Sequence, residues 1–270
     1  MPELPEVQTT LSAIEPYVKG QVLTQMRIRR RDLRVAVSEQ LPESVVGCTT
    51  LEVQRRGKYL VFVFSHGVML IHLGMSGSLR WVVDEPWRVH DHIEISWSDR
   101  VCRFCDPRRF GLVLWYGTHN HQDIPQLACL GPEPLDESCD GDWLYEATRQ
   151  ARVSIKSWLM NHHRIVGVGN IYANEALFMS GISPMRPACE LSKVEARLLM
   201  SKIKVVLHDA IRAGGTTLRD FHSGHDKPGY FRIELQVYGR ANEPCNVCGC
   251  PLASCRAHGR ITVYCPQCQN

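Results

Sequence analysis

The chain has 270 residues, of which 44% are hydrophobic and 22% charged, and a formal net charge of +3. These proportions suit a soluble globular protein of one large or two ordinary domains. No stretch approaches the ~20 apolar residues of a membrane helix, and the N-terminus lacks a basic segment followed by an apolar one, so a cytoplasmic protein without a signal peptide is expected.

Charge is unevenly spread. Residues 1–130 hold 15 Lys/Arg against 14 Asp/Glu, residues 131–143 hold five acids and no base, and residues 144–270 hold 16 bases against nine acids. A basic C-terminal half is compatible with a polyanionic partner. The twelve cysteines of a cytoplasmic chain are expected to include metal ligands or buried thiols rather than disulfides.

The first residues, MPELPEV, carry chemistry if Met1 is trimmed, as is usual before so small a residue. Pro2 would then present a free secondary amine. An α-amino group titrates near pH ~8, so roughly a tenth is unprotonated at pH 7. Such an amine can attack a sugar C1′ or a carbonyl and hold it as an iminium, as Schiff-base lysines do. Glu3 stands beside it as an acid or base. The alternative is a polar tail whose prolines limit fraying.

Residues 5–18 read as one helix after Pro5. The rest of the first 130 residues reads as strands: Val22–Ile28, Tyr59–Phe64, Val68–His72, Ser78–Val83, His92–Trp97, Arg100–Cys105 and Leu112–Tyr116, with Ser98-Asp99 as a tight hairpin turn. One helix with many short strands predicts a β-sandwich or flattened barrel. Within it, Lys58 of RRGKY precedes a strand, as a surface lysine or as a phosphate ligand or proton donor. Asp106-Pro-Arg-Arg-Phe-Gly joins two strands, either as a loop that wedges a base step or as a turn with Phe110 packed inward and solvated arginines. Cys102 and Cys105, three apart on a strand, face opposite ways and read as ordinary thiols.

Gly131-Pro-Glu-Pro and the acidic residues after it form a linker signal over 131–143. The period then becomes helical at Trp143–Gln150, Ile155–Asn161, Ile171–Ser180 and Ser192–Ala213. In the last of these Val194, Leu198, Ile203, Val206 and Ile211 mark one face. Val166-Gly-Val-Gly-Asn-Ile opens a helix whose free N–H groups could meet a phosphate. A polar loop containing GGTTLRDF and KPGYF, a lid or a connector, leads into a strand-like Phe231–Tyr238.

Cys245-x2-Cys248-x16-Cys265-x2-Cys268 is the strongest spacing signal. Two knuckles supply the tetrahedron zinc prefers, and four sulfur ligands close its coordination, so one structural Zn2+ on a β-hairpin is predicted. Cys250, Cys255 and His258 lie between the knuckles and compete as ligands, but the regular spacing favours the outer four.

Together, MPELPEV, Ile71-HLGMSGSLR, Asp106-PRRFG, Gly167-VGNIYA, Gly214-GTTL, Lys227-PGYF, Gln236-VYGR and the four-cysteine finger resemble, in order and over residues 1–269, bacterial formamidopyrimidine-DNA glycosylases. The resemblance implies an α+β multidomain fold: an N-terminal catalytic β-sandwich with a helix (1–130), a linker (131–143), a helix–two-turn–helix DNA-binding domain (144–230) and a zinc β-hairpin finger (231–270). It implies a monomeric, nucleoid-associated base-excision repair enzyme acting on oxidised purines in damaged double-stranded DNA.

On the same resemblance, Pro2 is the nucleophile at C1′, Glu3 the acid that opens the sugar, Lys58 the lysine of β-elimination and Arg260 the arginine of phosphate binding and δ-elimination. Met75, Arg108 and Phe110 match residues that fill and wedge the gap left by the flipped nucleotide. His90, Arg152, Asn170 and Tyr238 match DNA-contacting positions, and Lys156 a lysine near the lesion. Gln8 departs from a usual glutamate, His225-Asp226 from a usual glycine before Lys227, and Cys250 and Cys255 are unusual inside the finger. Leu4, the Met75/Arg108/Phe110 set and the full 216–231 loop argue against the endonuclease VIII branch, which prefers oxidised pyrimidines. Intact Pro2, Glu3, Lys58 and Arg260 argue against a non-catalytic zinc-ribbon DNA-binding protein.

Overall fold

A computed structural model describes residues 2–98, 100–215, 235–257 and 259–270. Met1, Asp99 of the hairpin turn, the Thr216–Phe231 part of the polar loop with KPGYF and His225-Asp226, the first residues of the strand-like 231–238, and His258 lie outside the described residues. The chain forms two compact units, 1–128 with 211–232 and 129–210 with 233–270.

The first unit is a sandwich of two antiparallel four-stranded sheets. One has the order β1-β6-β7-β5, built from Leu23–Ile28, Asp91–Trp97, Arg100–Cys105 and Ser78–Val82. The other has the order β2-β3-β4-β8, built from Glu52–Arg56, Tyr59–Phe64, Gly67–His72 and Leu112–Tyr116. Alternation sends Leu60, Phe62 and Phe64 of β3 into one core with Ile93, Ile95 and Trp97 of β6. Phe62 stacks on Trp97 at 5.9 Å, and the Trp97 indole N–H donates to Thr50 Oγ1 at 2.9 Å. Each fully buried side chain of this kind stabilises the fold by roughly 1.5–3 kcal/mol.

Helix α1 (Leu4–Val18) places Val7, Leu11, Ile14 and Val18 in the same core, at the i, i+3 and i+4 spacing of a helix face. Its start is specified locally. Glu3 is the N-cap, Pro5 sits in the first turn, and Glu3 and Glu6 form a capping box in which Glu6 accepts the Glu3 N–H at 2.8 Å. Strand β2 and the short helices α2 (Leu41–Val45) and α3 (Pro125–Ala128) of this unit were not in the sequence reading. The Glu-Val-Gln-Arg-Arg of β2 hides its strand character because only Val53 is buried.

The second unit is helical and ends in a hairpin. It holds α4 (Gly141–Thr148), α5 (Ile155–Leu159), α6 (Asn170–Met179), most of α7 (Lys193–Arg212), and β9 (Ala253–Ala257) paired with β10 (Arg260–Tyr264); α3 (Pro125–Ala128) closes the first unit. Residues 131–132 bond to the turn before α6, Gly131 N–H to His162 O at 2.8 Å and Val166 N–H to Pro132 O at 3.1 Å. Helix α6 is buried from Asn170 to Phe178 and is therefore central, so its polar Asn170, Asn174 and Glu175 each need a reason to be there.

Two expectations are corrected here. The buried face of α7 is Ala196, Leu199, Met200, Ile203, Leu207 and Ala210, whereas Val194 and Leu198 are exposed. Several apolar stripes on a 20-residue helix have acceptable spacing, and the neighbouring elements select one. Residues 235–238 are bends and a turn rather than strand. A side chain from α6 captures the N–H groups of Gln236, Val237 and Tyr238, which leaves no ladder for them to join. No helix among the described residues is long and apolar enough to cross a membrane.

Candidate functional site

Pro2 and Glu3 are both buried, at the N-terminus of α1. A helix N-terminus opposes positive charge, which favours the uncharged, nucleophilic form of an amine placed there. Lys58 occupies the tip of the β2–β3 hairpin, where Arg56 pairs with Tyr59 and Gly57 takes φ +57°, as a two-residue turn requires. That tip is tied to α1: Arg55 donates Nε–H to Gln8 Oε1 at 2.9 Å and reaches back to Gly57 O at 3.0 Å. Gln8, which departs from the usual glutamate, is thus a neutral acceptor that holds the Lys58 turn against the helix bearing Glu3.

His72, at the end of β4, lies partly buried against the Tyr59 ring at 4.9 Å. Burial, with the nearby Lys58 and Arg34 charges, holds its pKa down at about 4, so the ring is neutral at pH 7. Its Nδ1 accepts the Gly74 N–H at 3.0 Å. Gly74 has φ +65°, and a Cβ there would lie 2.6 Å from the backbone of Phe110 and Gly111. Only glycine allows the loop bearing Met75 to meet the 106–111 loop backbone to backbone.

Asp106 organises that second loop. Its buried carboxylate accepts Gly111 N–H at 2.7 Å, Arg108 N–H at 3.3 Å and Ser76 Oγ–H at 3.3 Å. Its N–H donates to His90 O at 3.0 Å, and His92 Nε2–H donates to its carbonyl at 2.8 Å. Around it stand four predicted site residues: half-buried Met75 and exposed His90, Arg108 and Phe110. Phe110 does not pack inward. It is 43% exposed, with the Arg108 guanidinium 4.9 Å over its ring. Cys102 and Cys105 are ordinary thiols whose pKa burial pushes up to about 12 and about 11.

The second unit gathers residues far apart in sequence around the start of β10. Lys156, buried on α5, donates to Thr262 Oγ1 at 2.7 Å, and Asn170 Nδ2–H donates to Ile261 O at 3.1 Å. Beside them Arg260 and Arg152 line a cleft of about 620 Å3 with Arg164, Trp158, Gln150 and Asn161. Its charged described lining is Arg152, Lys156, Arg164 and Arg260, with no carboxylate among the described residues. Four cations and no carboxylate in the described lining suit an anion such as a phosphate.

Glu175 explains Tyr238. Its buried carboxylate accepts the N–H groups of Gln236, Val237 and Tyr238 at 2.7, 3.0 and 2.8 Å. Burial pushes its pKa up, against three N–H bonds that pull it down. The sequence reading named Tyr238 without Glu175, Lys156 without Thr262, and Arg152 and Arg260 without Arg164. The polar run Asn170/Asn174/Glu175 on an otherwise apolar helix was the available signal.

In the hairpin the Sγ atoms of Cys245, Cys248, Cys265 and Cys268 lie within 4.8 Å of one another, with Cys245–Cys268 at 4.0 Å and Cys248–Cys265 at 3.5 Å. Tetrahedral zinc with Zn–S of about 2.3 Å requires sulfurs about 3.8 Å apart, so the four thiols fit it. The N–H groups of Val247 and Cys268 donate to Cys245 and Cys265 sulfur at 3.4 Å each, the outer support such ligands use. Cys245, Cys265, Val263 and Leu252 share a small core with Phe178 of α6 and Val237.

The family model for the formamidopyrimidine-DNA glycosylase N-terminal domain matches residues 1–113, and that for the H2TH domain of the same glycosylases matches residues 130–222. The chain is 50% identical over 272 residues to the formamidopyrimidine-DNA glycosylase of Serratia proteamaculans and 48% identical over 271 residues to that of Cellvibrio japonicus, each covered in full on both sides. Among solved structures it resembles the MutM (Fpg) protein of Thermus thermophilus, with a TM-score of 0.87, 37% identity and 99% and 98% of the two chains covered. It also resembles a Lactococcus lactis Fpg mutant in complex with Fapy-dG containing DNA, with a TM-score of 0.90, 32% identity and both chains fully covered.

Proposed function

The chain belongs to the formamidopyrimidine-DNA glycosylase family, and from that premise we propose how its own residues excise an oxidised purine and cut the strand. It is a DNA glycosylase of base-excision repair, and AP lyase activity is typical of the family. Its substrate is damaged duplex DNA.

The target atom lies inside a duplex, so the nucleotide must be extruded at a cost of a few kcal/mol. Met75, Arg108 and Phe110 offset that cost by filling and wedging the vacated stack, and exposed Phe110 under Arg108 suits the role. The Pro2 nitrogen, freed by loss of Met1, attacks C1′. The glycosidic bond breaks, the base leaves with a proton, and Glu3 protonates the ring oxygen so that the sugar opens to an iminium on Pro2. The iminium acidifies the C2′ proton. Its removal, with Lys58 assisting, expels the 3′ phosphate, and a second elimination aided by Arg260 expels the 5′ phosphate. Hydrolysis of the iminium then returns Pro2. Arg152, Lys156, Asn170, Tyr238 and His90 hold the DNA. Cys245, Cys248, Cys265 and Cys268 hold one structural zinc, which keeps the hairpin bearing Arg260 folded and takes no part in the reaction.

The observation that carries this reading is the pair Pro2–Glu3, buried at the mouth of a capped helix. Borohydride should trap the protein on an 8-oxoguanine:C duplex, and Pro2→Gly should nearly abolish the adduct. Active protein that retains Met1, or trapping that survives Pro2→Gly, would show that another amine is the nucleophile. Stronger trapping on an oxidised pyrimidine would move the substrate to the endonuclease VIII class.

A further inference from the structure

Two groups of described side chains have metal-ligand chemistry. The four finger cysteines are one, and Cys129, His162 and His163 are the other. The second group lies outside both the catalytic residues and the basic cleft. One ligand atom from each of its three residues lies within 4.8 Å of the others, although Cys129 is 33 positions from His162 in the chain.

Two features suggest more than a surface histidine pair. First, His163 Nδ1 lies 2.8 Å from the carbonyl oxygen of Cys129. A carbonyl only accepts, so Nδ1 carries the proton and the neutral ring keeps its lone pair on Nε2, the state a metal ligand needs. Because that carbonyl belongs to Cys129, the same bond fixes two of the three ligands to each other. Second, the backbone holds the two segments in register before any ion binds. Gly131 N–H donates to His162 O at 2.8 Å and Val166 N–H to Pro132 O at 3.1 Å, while the two imidazoles lie alongside with centroids 4.2 Å apart. A tetrahedral ion needs sulfur and nitrogen about 3.6 Å apart. All three side chains are exposed, so rotamer adjustment can close the remaining distance.

We propose that Cys129, His162 and His163 form a second metal site, for one thiophilic divalent transition-metal ion of the Zn2+ or Co2+ type, with water in the fourth position. One thiolate and two imidazoles select such ions over Mg2+ or Ca2+, which take oxygen ligands. A bound ion staples residues 129–132 to the 162–166 turn that leads into Asn170. With three exposed protein ligands the site exchanges its metal more readily than the closed four-cysteine finger.

The test compares full-length chains that share the finger: wild type, Cys129→Ser, the double variant His162→Asn/His163→Asn, and the control Cys250→Ser/Cys255→Ser. Each is equilibrated with buffered Zn2+, and bound zinc per chain is measured. Wild type and control should carry one zinc ion more than the other two, and their melting temperature should rise further with Zn2+ than that of the other two. With Co2+ in place of Zn2+, the extra ion should show a thiolate-to-cobalt band that Cys129→Ser removes. Equal zinc in all four chains overturns the proposal. So does an extra zinc that the control loses, which would put the ion on the finger loop. Because the readout is a difference between chains, a finger that held no zinc would lower all four equally and leave the comparison intact.

Discussion

Acidification should weaken the β-sandwich through His72. Its pKa in the folded protein is about 4, set first by burial and then by Lys58 and Arg34, against 6.5 for an unperturbed imidazole. The unfolded chain therefore takes up the proton first as pH falls. The contribution of the neutral ring is fully present above pH 6.5, is lost progressively below it, and levels off near pH 4. At pH 4.5 a pKa difference of about 2.5 units corresponds to roughly 2.5 kcal/mol, and partial solvent access of the ring brings the expectation to about 2 kcal/mol. The matching variant is His72→Asn, whose side-chain oxygen can still accept the Gly74 N–H but cannot titrate. It should cost about 1 kcal/mol at pH 7 through loss of the Tyr59 contact. Urea unfolding at pH 7, 5.5 and 4.5 would follow the gap between the two proteins, in which all other titrations cancel. The gap should close and then reverse, so that the variant is the more stable at pH 4.5. A gap constant across the range would refute a buried neutral His72.

Cys248→Ser should release the finger metal and abolish DNA binding and strand cleavage together through loss of the Arg260 hairpin, while Cys250→Ser and Cys255→Ser keep the finger ion; metal release by either would reassign the ligands. Glu3→Gln should lose base release on 8-oxoguanine yet retain part of its cleavage of a preformed abasic site, where the sugar can already open. Equal loss on both substrates would mean that Glu3 acts only as the α1 cap. DNA affinity should fall steeply with salt, by about 0.9 in log–log slope per phosphate neutralised, and Arg164→Gln should flatten the slope by about that amount. An unchanged slope would remove Arg164 from the interface.

Patterns internal to one segment were legible in the sequence. β-rich composition between turn residues located β3, β7 and β8 to the residue. The two Cys-x2-Cys knuckles identified their own partners, because a metal site needs four donors and the spacing supplies them. The order of motifs pointed to the family without coordinates. Strand β2 was not legible, since one buried valine among Glu, Gln and Arg has no periodicity. It exists because β3 offers it an edge.

The buried stripe of α7 was chosen by its neighbours from several with equal spacing. Residues 235–238 read as strand until Glu175 took the N–H groups of Gln236, Val237 and Tyr238. Contacts between distant residues carried no local signal: Gln8 with Arg55, Gly74 against Phe110, Lys156 on Thr262 and Asn170 on the Ile261 carbonyl of β10. Local structure follows from a segment's own side chains. Which segments meet is decided only when buried polar groups must find partners and close-packed backbones must fit, and those are properties of the whole folded unit.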